Sequence, residues 1–582
     1  MRPFRLLANR GLAAGLIAVS CCAAPALAGW GVDPVTVTPT TAAIPLVEGC
    51  SDGAYGAFAA WQEEGTPGSG VLRVQHLLGS GDLDPAWPAA GAVACAIVAA
   101  RSELVALPDR SGGLYLLWKE GVTLYATRLD ASGAVAAGWP ARGRSLGDVH
   151  ATSPRPDAIE DGSHGFYAVW VAPSREAVGI HLGPANTGAG GWPNDVLTIS
   201  YLDQYAVWPQ LAPAPGGGIF VAWGGYGDDN YGWTPGVWRL QRLTSAGGQP
   251  AGWPYAGIEF GTFHFEYIAD FQSASSMLAL EGDGRGGVFL MIGNPTDPGS
   301  YHELPTLETR LYRLQAGGQS ALDWPGAGRI VPHASVEYTG AGSPDGSYRL
   351  LSDRKDGVFV GVMQYGTDNA SRENFKRCSP DGQFADALVA WGPAGYEVAA
   401  RGDGGLYTAF FGCCYWVYQF AYIAAAQFPY APGYYEDHTE EFGTWYTDIG
   451  LARTDDGGAV LLWSQVQGRI GLFARRINSA GEVTAVGPAE NITPAFMRLL
   501  FVPGVGVRAT VGAVSDHARI ELFDLAGRRL ASQAVEPEAA AARGPAMQEV
   551  TVAGTKGLPS GLYFGRLTGG ANAIAAKVIV AR

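Results

Sequence analysis

Asp109-Arg110-Ser111-Gly112-Gly113-Leu114-Tyr115-Leu116-Leu117-Trp118 is the stretch on which the reading of this chain turns. A polar turn with an acid, glycines able to supply positive φ, and an apolar run ending on a large residue describe a tight turn entering a strand buried on both faces. The phrase recurs eight times. Its apolar runs end at Trp61, Trp118, Trp170, Trp223, Ile292, Val362, Phe410 and Trp463, a spacing of about 50 to 70 residues that marks a repeat architecture.

Each unit reads as four strands, A to D. In the second unit, 103–108 is strand A, 114–118 is B and 124–129, which alternates, is C; Asp130-Ala131-Ser132-Gly133 turns the chain into D. Four strands per unit and eight units predict an all-β chain whose 29–490 segment is an eight-bladed β-propeller. Seven blades is the fallback count, since the fifth and sixth units end strand B without tryptophan. A second phrase, Trp-Pro, stands at Trp87, Trp139, Trp192, Trp253 and Trp324. Proline cannot donate to a ladder and suits an outer strand, so each tryptophan is expected to pack between neighbouring blades. The last unit lacks the phrase, whereas Gly29-Trp30-Gly31-Val32-Asp33-Pro34-Val35 resembles a stray D strand. The N-terminal segment is therefore expected to complete the last blade and leave no open edge.

The chain opens on a basic segment (Arg2, Arg5, Arg10), an apolar run over 11–19 and Ala26-Leu27-Ala28, the pattern of a signal peptide ending at residue 28. Processing at Cys21 is the alternative. No stretch is a convincing transmembrane helix. The net charge of −15 and the absence of a Lys/Arg cluster exclude a nucleic-acid partner from the expectations. Five cysteines follow residue 28, and Cys50 with Cys95, or Cys378 with Cys413 or Cys414, are candidate disulfides in an exported chain.

Turns in a four-stranded meander alternate between two sides. The A–B and C–D turns here are short and alike. The long segments are B–C connections (224–236, 293–309, 364–374) or D–A connections (258–276, 329–346, 424–448), all in units four to seven. Loops on a rigid scaffold are where binding residues gather. Candidate ligand-binding residues are Tyr226, Asp228, Asp229, Tyr231 and Trp233 in one segment, and Tyr434, Tyr435, Glu436, Asp437 and Trp445 in another. Rings beside carboxylates suit a glycan, or a surface protein partner. No catalytic motif emerges, and Asp82-Leu83-Asp84 reads as a turn rather than a calcium site. The expectation is a non-enzymatic binding or adhesion protein with no metal or cofactor. The alternative is a glycan-active hydrolase or lyase using the same acids.

After about residue 494 the period stops. Strands at 505–514, 519–523, 548–553, 562–567 and 575–580, with a polar loop over 531–545, predict a small immunoglobulin-like β-sandwich over 495–582. Asp524-Leu525-Ala526-Gly527-Arg528, Ser560-Gly561-Leu562-Tyr563-Phe564 and the strand carrying Lys577 resemble the C-terminal sorting domain of type IX secretion cargo and the related domain of flagellar hook-capping proteins. The resemblance implies a secretion machinery as partner, read through Asp524, Gly527, Arg528, Gly561, Tyr563 and Lys577, and an extracellular or outer-surface address.

Overall fold

The computed structural model describes residues 35–580, apart from 151–155, 228–235, 264–277, 296–306, 333–347, 366–370, 392–396, 401–405, 412–417, 424–434, 437–445, 466–470, 478–495, 513–518, 536–547, 569–573 and some shorter stretches. The chain divides into two compact units, one spanning 28–486 and the other holding 487–582.

Among the described residues, the large unit holds eight four-stranded antiparallel sheets. The second sheet shows the plan: Arg101–Pro108, Leu114–Glu120, Thr123–Leu129 and Arg144–Asp148 are its strands A to D, each paired with the next. The first strands of consecutive sheets lie side by side, from Leu46–Ser51 through to Tyr446–Arg453, and that last A strand lies against the first. The cores sit between sheets. One cluster joins Val105, Tyr115 and Leu117 of the second sheet to Phe166, Ala168 and Trp170 of the third. Another joins Ala57, Ala59 and Trp61 of the first sheet to Val460, Leu462 and Leu472 of the eighth. Strand B is buried along its length because both its faces meet a neighbouring sheet, which is why it reads as an unbroken apolar run.

The eighth sheet takes its fourth strand from the N-terminus. Val35–Thr38 pairs antiparallel with Gly471–Ile477, with Val35 opposite Ala474. Val37 is buried in the core shared by the first and eighth sheets. The strand begins where the stretch expected from sequence ends, and 29–34 lie outside the described residues.

The acidic turns explain the recurring phrase. Asp109 Oδ1 accepts the Ser111 and Gly113 amides at 2.6 and 2.8 Å, and Asp161 and Asp283 hold their turns in the same way. This is the local bonding that places Asp in tight turns. The second carboxylate oxygen takes a cation from strand C: Arg128 on Asp109, Arg313 on Asp283 and Arg377 on Asp353, at 2.6–3.0 Å. In the first and third sheets His76 and His181 stand in the arginine's place, on Asp52 and Asp161. Several of these cations also reach a carbonyl in the C–D turn of the next sheet, Arg313 to Pro380 at 2.7 Å and Arg128 to Pro184 at 3.4 Å.

The Trp-Pro tryptophans close the same seam. Each ring lies against the aromatic residue of its own strand B, and the indoles of Trp87, Trp139 and Trp324 donate to the carbonyls of Ala131, Pro184 and Pro380 in the next sheet at 3.0 Å. All five are buried, so they pack between sheets and present no stacking surface. The turn after Trp-Pro brings in a glycine. Gly91 and Gly143 have positive φ, and a Cβ there would collide with Trp61 and Trp118.

Several expectations need correction. Cys50 and Cys95 are buried thiols, not a disulfide. They lie on strands A and D of one sheet, Leu46–Ser51 and Ala92–Ile97, roughly 14 Å apart at three strand spacings, beyond disulfide reach. Cys378 is likewise a buried thiol, and Cys413 and Cys414 lie outside the described residues. The long connections are shorter than expected, because their ends continue the ladders: Gly218–Gly227, Val288–Pro295, Val358–Tyr365 and Ile258–Phe263 are strands.

The small unit has a three-stranded sheet, Phe496–Val502, Gly506–Gly512 and Gln548–Thr551, and a four-stranded sheet in the order Arg529–Ala534, Arg519–Phe523, Gly561–Thr568, Ile574–Val580. Val507 and Ala509 from the first share a core with Ile520, Leu522 and Tyr563 from the second. A further correction falls here: Arg529–Ala534 is an edge strand where a loop was expected from 531. Its mixed, half-exposed pattern lacks the alternation that marks a strand.

Candidate functional site

The two ends of the sheets in the large unit differ in what their polar groups do. At the A–B and C–D turns, the aspartates, strand-C cations and indoles described above are bound to one another and to neighbouring turns. The opposite end carries the B–C and D–A connections. The stretches 228–235, 296–306 and 366–370 lie between B and C strands, and 264–277, 333–347 and 437–445 lie in D–A connections. The stretch 424–434, expected with Tyr434 in a D–A connection, instead joins strand C, Tyr418–Ile423, to the short strand D, Tyr435–Glu436, and so belongs to the first end, because strand D forms later in the chain than the sequence pattern suggested.

Of the residues expected there, Tyr226 ends strand B of the fourth sheet, its backbone paired with Tyr205. Tyr435 and Glu436 form strand D of the seventh sheet, opposite Ala421 and Phe420. Asp228, Asp229, Tyr231, Trp233, Tyr434, Asp437 and Trp445 lie outside the described residues.

Sequence reading missed a cluster at this end, between the third and fourth sheets. Pro173-Ser174-Arg175 is the tight B–C turn of the third sheet, closed by the Ala172 amide on the Glu176 carbonyl at 2.9 Å and the Arg175 amide on the Ala172 carbonyl at 2.8 Å. Arg175 takes a left-handed φ of 68°, uncommon away from glycine. Its carbonyl accepts the Ala206 amide at 2.7 Å, which ties the turn to strand A of the fourth sheet. Its guanidinium lies 4.4 Å from the centroid of the Tyr205 ring, a cation–π arrangement. His150, in the D–A connection before the third sheet, is held by its amide on the Val171 carbonyl at 2.8 Å. Burial and, after it, the Arg175 charge pull the His150 imidazole below its usual value, so it is neutral near pH 7. Arg175 is exposed and Tyr205 and His150 are half-buried. The insertion-length criterion passed over this turn because it is short. Arg175 following Pro-Ser is the one local sign of it.

Nearby, Trp208 has a positive φ of 49° at a break in the register between Val207 and Gln210, rare for a bulky residue. Its ring is buried 6.1 Å from that of Trp238. The Trp238 indole donates to the Gly293 carbonyl at 3.0 Å. Trp208 and Trp238 therefore help build the core between the fourth and fifth sheets.

In the small unit the residues singled out from sequence shape local structure. Asp524 accepts the Arg528 amide at 2.9 Å and its Nε at 3.1 Å. The Tyr563 hydroxyl donates to the Pro559 carbonyl at 3.0 Å. Gly561 lies opposite Val580 and Lys577 opposite Phe564 in the ladder, and Gly527 lies outside the described residues. Glu521 takes one arginine on each oxygen, Arg529 and Arg566, both at 2.7 Å, and these hydrogen bonds hold its carboxyl below the usual range.

No family model and no curated protein matches the chain. Among solved structures, it is similar to the polysaccharide lyase Uly1 at 8% identity and a TM-score of 0.40, over 65% of this chain and 89% of that one. It is similar to the SapL1 lectin in complex with alpha methyl fucoside at 10% identity and a TM-score of 0.30, over 60% and 97%. Prolyl oligopeptidase B from Galerina marginata aligns at 10% identity and a TM-score of 0.32, over 73% of this chain and 56% of the peptidase.

Proposed function

We propose that this chain is an exported, non-enzymatic binding protein. In this reading the large unit is an eight-bladed β-propeller tied shut by its N-terminal strand, and it engages a glycan or a surface protein through the B–C and D–A connections of its fourth to seventh sheets. The small unit is an immunoglobulin-like sorting domain that hands the protein to a secretion machinery and to the cell exterior or surface. The observation that carries the binding reading is the asymmetry between the two ends of the sheets. At one end the described turns are alike and their polar groups are spent on holding sheet to sheet. At the other end lie the long, dissimilar connections rich in aromatic and acidic residues. A uniform end suits assembly, and a variable end on a rigid frame suits recognition.

The test is a glycan array probed with the chain from residue 29 onward, repeated with 228–235 replaced by a short Gly-Ser turn and, separately, with Tyr226→Ala. Binding that falls at least tenfold in the replaced form, with the melting temperature kept, supports the reading. Equal binding by both forms overturns it. Release of shortened products from a bound glycan would replace the binding protein by a glycan-active hydrolase or lyase, a chemistry that needs two carboxyls facing each other within roughly 5 to 10 Å.

A further inference from the structure

The cluster between the third and fourth sheets names a ligand class. We propose that Arg175, braced on Tyr205, is the anion-recognition point of the binding end, and that the glycan it selects is acidic, carrying a carboxylate or sulfate. This inference rests on the reading of that end as the binding end.

The arginines of the large unit make the contrast. Arg128, Arg313 and Arg377 are neutralised by turn aspartates, Arg142 by Glu120 and Arg239 by Glu259. Arg242 and Arg329 are spent on backbone carbonyls. Arg175 has neither kind of partner for its guanidinium among the described residues; its Cζ lies over the Tyr205 ring and the residue is exposed. A guanidinium without a carboxylate keeps its forked N–H donors for an incoming oxyanion, which it meets in bidentate geometry. The ring restricts the side chain, so less freedom is lost on binding. The nearest acid in sequence, Glu176, accepts the Ser174 hydroxyl at 2.9 Å. The backbone around the cation is also fixed, by the left-handed Arg175 and by the Ala206 amide on its carbonyl. The position fits the rest of the end: Tyr205 pairs in the ladder with Tyr226, from which the chain runs into 228–235.

The experiment uses the chain from residue 29 onward on an array holding matched neutral, carboxylated and sulfated glycans, with the variants Arg175→Ala, Arg175→Lys and Tyr205→Leu. The expected result is preference for acidic members over their neutral counterparts by at least tenfold. Arg175→Ala should erase this preference, Arg175→Lys should retain part of it, and binding of acidic members should weaken as salt rises. Melting temperatures of the Arg175 variants should match the parent, since the side chain is exposed. Equal binding of neutral and acidic members, or an acidic preference that survives Arg175→Ala, overturns the inference while leaving the glycan-binding reading standing. No binding to any glycan overturns both.

Discussion

The inner strands of the large unit meet edge to edge without a shared ladder, and side chains take over the pairing. The Gln210 amide donates to the Leu278 carbonyl at 3.0 Å and accepts the Leu280 amide at 2.9 Å, as a backbone peptide would. Asp157 accepts the Leu211 amide at 2.6 Å. Glu281 does the same two sheets further on, accepting the Ser352 amide, but burial and the Asp157 charge push its carboxyl up to about 8 against that hydrogen bond and the one from Gly282. The sign follows from linkage. The unfolded chain releases this proton near pH 4 and the folded chain keeps it to about pH 8, so this group's contribution to stability falls as pH rises between those values. Glu281→Gln should leave stability unchanged at pH 4 and raise it by about 1–2 kcal/mol at pH 8, discounted for partial exposure. Urea unfolding at the two pH values checks this, and an equal effect at both would refute it. His76 adds a slope of the same sign. Burial opposes its charge, but its ring nitrogens face Asp84 at 2.8 Å and Asp52 at 3.3 Å, and these carboxylates outweigh burial and raise its value. Its contribution is complete below its unfolded value and is lost as pH climbs through the raised one, so the Glu281 part must be read as the difference between variant and parent.

At the scale of the element, the N-terminal strand decides whether the eighth sheet has an open edge. Val35–Thr38 covers Gly471–Ile477, and a Cβ on Gly471 would collide with the Thr38 carbonyl, so the two strands approach closely. A chain beginning at residue 40 loses the buried Val37 and leaves that strand exposed. The expected cost is on the order of 2–4 kcal/mol, with concentration-dependent association through the bare edge. Size-exclusion chromatography and denaturant titration measure both effects, and a peptide spanning residues 29–42 added in trans should restore the monomer. A truncated chain that stays monomeric and as stable as the parent would show that the strand is a passive tail.

At the scale of the molecule, two separate cores imply two units of stability. The large unit is a succession of clusters between neighbouring sheets, while the small unit has its own core around Val507, Ile520, Leu522 and Tyr563. Calorimetry on the chain from residue 29 onward should resolve two transitions, the larger enthalpy belonging to 28–486, because enthalpy scales with the number of residues that melt. A single transition with equal calorimetric and van't Hoff enthalpies would mean that both cores melt together.

The sequence by itself determined the repeat, the all-β class and the four-strand unit, but it misplaced 424–434, which joins strands C and D rather than D and A. It could determine those three features because they rest on local rules: glycine and aspartate make the turns, and a strand covered on both faces must be apolar throughout. The Trp-Pro packing was legible for the same reason. Tertiary structure alone decided which groups are spent and which remain. Nothing in the spacing of Asp109 and Arg128 shows that they neutralise each other, or that His76 and His181 occupy the arginine's place two sheets apart. Cys50 and Cys95 looked pairable along the chain, yet they sit on opposite edges of one sheet. Arg175 was invisible because its meaning lies in the ring beneath it, thirty residues away in sequence and brought there by the packing of one sheet on the next. Contacts across sheets depend on how strands stack rather than on what precedes or follows them, and that is the information a linear chain does not display.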